Sequence, residues 1–155
     1  MNQIAINTSQ NVNVNFTLAG VGERILAFFI DLLIKGLYVF IIFWLIRNLF
    51  DFAGFVNGMD GWSIGAIIFI ITLPVHIYTL VLESIMEGQT VGKKLMKIKV
   101  VKIDGYQAGF GDYLMRWIFR LVDIYTNSGI VAILSMIISK NHQRLGDIAT
   151  GTAVI

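Results

Sequence analysis

Residues 24–46 read RILAFFIDLLIKGLYVFIIFWLI, and the fold turns on that stretch. As an α-helix its 23 residues would cover about 34 Å, enough for a hydrocarbon layer of about 30 Å. Sixteen of the residues from Ile25 to Ile46 are Leu, Ile, Val or Phe. They favour insertion by roughly 5–10 kcal/mol as an upper figure. Asp31 and Lys35 each oppose it by about 2.5–3.5 kcal/mol near the bilayer centre. The two totals are comparable, so the helix needs partners for its charges. At about 100° per residue, Asp31 and Lys35 each fall about 20° from Arg24, on opposite sides. All three therefore share one face. Asp31 and Lys35, four apart in the acid-first order, are expected to pair.

The rest of the chain agrees with a membrane setting. Of its 155 residues 56% are hydrophobic and 14% charged, with a mean hydropathy of +0.74. A soluble domain is about 45–50% apolar and about 25% charged. The apolar excess lies in long blocks, which points to lipid rather than a larger core. Net charge is +2 and the pI about 9.0. With the lysines clustered, this mild basicity is an orientation signal and gives no reason to expect nucleic acid. The chain has no cysteine, which excludes disulfides, thiolate metal sites and a cysteine nucleophile.

Residues 1–20 alternate polar and apolar, as in Asn11-Val12-Asn13-Val14-Asn15-Phe16, and read as two strands joined near Ser9-Gln10. They lack the basic start and short apolar run of a cleaved leader, so the first apolar block is expected to be a retained anchor. A second spanning helix is predicted over 62–86. Residues 64–82 hold no Asp, Glu, Lys or Arg, Trp62 suits the interface, and Pro74 should kink the helix. A lysine-rich loop follows, with a strand over 96–103 and a hairpin-turn signal at Asp104-Gly105. An amphipathic helix is predicted over 110–124, a short apolar helix over 130–139 and a final strand over 151–155.

The connector after the first helix carries one cation, Arg47, and the stretch after the second carries five lysines. That asymmetry puts the connector outside and both the lysine loop and the N-terminus in the cytosol. The fold expected is an all-α membrane protein with two full transmembrane helices. An amphipathic or re-entrant helical hairpin and a small cytosolic β-sheet complete it. Residues 1–20 form the N-terminal strands and 21–155 the membrane domain. The sheet is expected to draw on 98–103, 151–155 and the N-terminal strands.

Polar stripes recur on the later segments: Thr72, His76, Thr79, Glu83 and Glu87 on the second, and Asp112, Arg116, Arg120, Asp123 and Asn127 on the third. Three striped segments suggest stripes that face one another, with Asp31 near Arg116 or Arg120. The candidate ion or proton network is Arg24, Asp31, Lys35, His76, Arg116, Arg120, Asp123, Arg144 and Asp147. In it Asp31 would bind the ion, Arg116, Arg120 or Lys35 would tune it, His76 would relay protons, and Arg24 and Asp147 would pair to hold the cytosolic mouth closed. Glu83 and Glu87, near the inner end of their helix, read as interfacial, and His142 as a solvated loop residue. The same stripes serve equally as glue between helices.

No enzyme is indicated. Gly88-Gln89-Thr90-Val91-Gly92-Lys93-Lys94 is one residue short of a phosphate loop, and Lys94 stands where Ser or Thr should hold magnesium. Two distant histidines give no metal spacing, so neither a metal nor a cofactor is expected. The lysine loop has the composition to touch anionic head groups.

Three blocks, in order, carry a family resemblance. Glu23-Arg24-Ile25-Leu26-Ala27-Phe28-Phe29-Ile30-Asp31 resembles the opening of the bacterial RDD membrane proteins. Gly88-Gln89-Thr90-Val91-Gly92-Lys93 with Asp104-Gly105 resembles their central loop. His142-Gln143-Arg144-Leu145-Gly146-Asp147 with Gly151-Thr152-Ala153-Val154 resembles their C-terminal signature. The arginine and two aspartates that name the family fall on Arg24, Asp31 and Asp147. The resemblance implies a multi-pass protein of the bacterial cytoplasmic (inner) membrane. It also implies transport, with monovalent cation/proton antiport proposed for some members. An accessory or scaffold subunit of a membrane assembly is the alternative. A bundle this thin is expected to act as a homo-oligomer or beside another membrane subunit.

Overall fold

In the computed structural model, residues 3–7, 13–49, 51–104, 106–127, 134–135, 137–139 and 143–155 are described. Helix α1 runs over Val21–Leu49 and α3 over Gly61–Ile85, joined through the short α2, Phe52–Val56. Both long helices have the length and composition to cross a membrane. Only 6% of the most apolar stretch of each is buried within the chain, so lipid or another protein must cover the remainder.

Local capping explains where these helices begin. Glu23, three residues into α1, accepts the Gly20 N–H at 2.8 Å, the backbone-satisfying half of a capping box. Asp51 caps α2, and Asp60 caps α3 by accepting the Trp62 and Ser63 N–H groups. α3 continues as helix through Pro74. It ends in a left-handed turn, with φ +51° at Glu87 and +91° at Gly88. A Cβ at Gly88 would press on the Val100 carbonyl, so glycine is needed there for both reasons. The two long helices run antiparallel. Tyr38 donates to the Ile71 carbonyl at 3.2 Å, and further down the pair Lys35 donates to Thr79 Oγ1 at 3.4 Å.

The remaining elements gather where α1 starts and α3 ends. They are α4 (Val91–Leu95), β3 (Val100–Lys102), α5 (Phe110–Asn127), α6 (Leu145–Ala149) and β4 (Thr152–Val154). β3 and β4 pair antiparallel, with Val101 opposite Ala153. The core is small: Ala19, Ala27, Ile98, Val100, Ala108, Tyr113 and Val154, with Leu80 and Met96 packed on it.

Several expectations need correction. The N-terminal strands, β1 (Gln3–Asn7) and β2 (Asn13–Thr17), form their own antiparallel pair and do not join β3–β4. Contact with that sheet is through packing of Phe16 and Leu18 on Ala153 and through the Ala19 N–H, which donates to the Val154 carbonyl at 2.9 Å. The strand expected over 96–103 is shortened to Val100–Lys102, because Met96 and Lys97 form the turn that closes α4, with φ +57° at Lys97. Asp104 turns the chain without making a hairpin, since the partner of β3 is the distant β4. In the segment expected as helix over 130–139, Leu134, Ser135, Ile137 and Ile138 are helical, and most of the rest lies outside the described residues.

Candidate functional site

Asp31 sits two-fifths of the way along α1 and is 8% exposed. Its carboxylate faces the Thr90–Gly92 turn. Oδ2 accepts the Thr90 hydroxyl at 2.6 Å, and Oδ1 accepts the Gly92 N–H at 2.9 Å and the Tyr78 hydroxyl at 3.1 Å. Thr90 is also the N-cap of α4, accepting the Lys93 N–H at 3.3 Å. One carboxylate thus clamps α1 to α4 and to α3. Hydrogen bonds to a charged group contribute about 1.5–3 kcal/mol each, which offsets the cost of placing Asp31 in an apolar helix. A Cβ at Gly92 would collide with the Ala27 carbonyl, so the close approach requires glycine.

Asp147 anchors the other junction. It lies at the third position of α6 and accepts the Arg144 N–H at 3.1 Å. Its oxygens also meet Arg24 Nη1 of α1 at 3.3 Å and Arg116 Nη1 of α5. Arg116 donates further to Thr152 Oγ1 at 2.6 Å in β4. Desolvation alone would raise the Asp147 carboxyl, but the Arg116, Arg144 and Arg24 guanidiniums outweigh it and hold it below its ordinary value.

Glu83, 2% exposed, is the third buried acid. Lys93 Nζ is 2.6 Å away, Arg120 Nη2 3.5 Å and Arg116 Nε 3.7 Å. Burial pushes Lys93 down to about 8 against the pull of Glu83.

These groups surround a cavity of about 60 Å³. A single water needs about 10–15 Å³, so a small polyatomic ion has room. Six cations line it (Arg24, Lys35, Lys93, Arg116, Arg120 and Arg144) with two carboxylates, Asp31 and Asp147. Glu83 stands behind three of the cations, so among the described residues the chamber has three more cations than carboxylates. Lys35 makes no ion pair among them. It reaches Thr79 and lies 5.1 Å from the centre of the Tyr78 ring. The Arg144 guanidinium likewise has no hydrogen bond or ion pair with a described residue. Burial, helped by Arg120, pushes it down to about 10, still cationic at neutral pH.

The structure brings Arg24, Asp31, Lys35, Arg116, Arg120, Arg144 and Asp147 around one chamber. It pairs them differently from the stripes. Asp31 takes its donors from Tyr78, Thr90 and Gly92 and forms no ion pair with Lys35, Arg116 or Arg120. The reason is geometric: both carboxylate oxygens point at the turn before α4, while Lys35 reaches towards α3 and the arginines towards Glu83 and Asp147. His76 does not line the chamber. Its ring stacks on Phe69 at 5.9 Å, and its carbonyl accepts Trp117 Nε1 at 2.8 Å. The Asp123 side chain and His142 lie outside the described residues. Glu83, read as interfacial, is buried and triply paired, whereas Glu87 is exposed and reaches Lys99 at 3.4 Å. Thr90, Gly92 and Lys93 were the other omissions. The preference of threonine for the N-cap position is a signal that could have found Thr90, and none marks Gly92 or Lys93.

Two apolar helices of membrane-crossing length, with a charge network closed over one end by short helices and a two-stranded sheet, define a helical protein of the membrane type. The chain belongs to the RDD family, whose match runs over residues 18–151. No curated protein and no solved structure matches it. Arg24, Asp31 and Asp147, the residues singled out by the family resemblance, hold the two junctions of the chamber.

Proposed function

We propose that the protein is an ion-transport component of the bacterial cytoplasmic membrane, with the charged chamber as its ion site. The chamber carries this reading. It is a cavity of about 60 Å³ in contact with Asp31 and Lys35 on an otherwise apolar helix. Ionisable groups in such helices mark ion pathways by default, and a network serving only as glue needs no space beside it. The lysines cluster at the chamber end, which supports a cytosolic side for that end and the N-terminus. Two spanning helices do not enclose a path alone, so the working form is an oligomer or a complex with another membrane subunit.

Within this reading Asp31 is a latch. The monovalent cation or proton implied by the family resemblance would have to displace three donors from its carboxylate. The ion is handled instead by the open lining, where Lys35 makes no direct ion pair among the described residues. Full-length protein in proteoliposomes, with proton, sodium and inorganic-anion fluxes followed separately, tests this. Wild type should carry one of these ions, and Lys35→Gln should reduce that flux several-fold. Absence of every flux from wild type would overturn the transport reading in favour of an accessory subunit.

A further inference from the structure

We propose that the chamber binds an oxyanion of the phosphate class. The proposal rests on the reading of the chamber as an ion site and names its ligand. Three observations carry it.

The first is the sign of the lining. Among the described residues six cations face the cavity, and the three carboxylates associated with them are already engaged. Asp31 accepts from three donors, Asp147 from Arg24, Arg116 and the Arg144 N–H, and Glu83 from Lys93 and two arginines. A bare cation entering here would meet donors on every charged wall, whereas an anion would meet them in the orientation it requires.

The second is that two of the cations have no direct ion pair among the described residues. Arg144 and Lys35 make no ion pair with a described residue, yet both line the cavity. Holding like charges together in a partly desolvated space is costly unless a counterion joins them. A guanidinium fork and an ammonium point charge are complementary donors for a tetrahedral oxyanion.

The third is the rim. Phe28 and Leu32 line the cavity and are 44% and 48% exposed on α1. The chamber therefore reaches the apolar surface of a helix of membrane-crossing length. A phosphate could arrive free from solution or at the head of an anionic lipid, and both present the same group.

Calorimetric titration of full-length protein in a neutral detergent tests the proposal, with sodium phosphate as the probe and sodium chloride as the control. Phosphate should bind saturably and chloride should not. Arg144→Gln and Lys35→Gln should each weaken phosphate by about ten-fold or more, as expected for a lost charge-assisted contact. Arg47→Gln, at the opposite end of α1, should leave it unchanged. Repeating the titration in phosphatidylcholine nanodiscs with and without phosphatidylglycerol separates the sources. Competition by phosphatidylglycerol identifies the head group, and its absence identifies free phosphate. No saturable binding of phosphate, or equal weakening by Arg47→Gln, overturns the proposal. If a water-soluble reagent reaches a cysteine placed at Lys35 but phosphate does not bind, this inference alone fails. If the reagent does not reach it, the ion-site reading fails with it.

Discussion

The three buried acids, Asp31, Asp147 and Glu83, are each held by several donors or cations, and the consequences are testable residue by residue. Asp31→Asn keeps the shape but replaces one acceptor oxygen with an amide that opposes the Thr90 or Gly92 donor. The variant should lose about 1–3 kcal/mol, read as a lower thermal midpoint in detergent. Asp147 gives a pH signature. Its folded pKa lies below the unfolded value of about 3.9, so its contribution is complete above that value. It disappears as pH falls from there through the folded value. Wild-type stability should therefore drop below about pH 4, and Asp147→Asn should flatten that part of the profile. At neutral pH, Asp147→Asn should cost about 3–5 kcal/mol, because the buried Arg24 and Arg116 would lose the carboxylate they share. A midpoint matching wild type would contradict the pairing.

At the scale of elements, stability rests on a few close approaches. α4 is only five residues long and gains its position from Asp31 and from the missing side chain at Gly92. Gly92→Ala should destabilise by about 1–3 kcal/mol through overpacking against Ala27. Gly36→Ala is the contrasting case. A Cβ there meets nothing within 4 Å, so the change should be neutral or stabilising by up to about 1 kcal/mol. Thermal melts of the two variants side by side check both. The long helices were legible in sequence because twenty-odd apolar residues have few other solutions. α1 and α3 extend close to the expected 24–46 and 62–86. α4 was not legible because five residues carry no periodicity. The pairing of 98–103 with 151–155 was legible as two short apolar strands, whereas the N-terminal strands were wrongly added to that sheet, because alternation shows strand character but not the partner.

For the whole molecule, the sequence shows which charges are unusual but not how they pair. Arg24, Asp31 and Lys35 share a face by simple angular spacing. Their partners come from α3, the turn before α4, and α6, and only the fold assembles those. Glu83 was missed for the same reason. At the end of an apolar helix it reads as interfacial until Lys93, Arg116 and Arg120 are brought around it. The position of Asp147 beside Arg24, 123 residues away, was suggested by the family resemblance rather than by periodicity. The assembled charges leave a chamber at the lysine-rich end of the two helices, and the account depends on water and ions reaching it. The chain has no cysteine, so a single Lys35→Cys substitution reports without background. A membrane-impermeant thiol reagent should label it in inverted membrane vesicles, where the cytosolic face is outward, and not in right-side-out vesicles. Absence of labelling from either side in folded protein would contradict the account and make the network a dry structural seam.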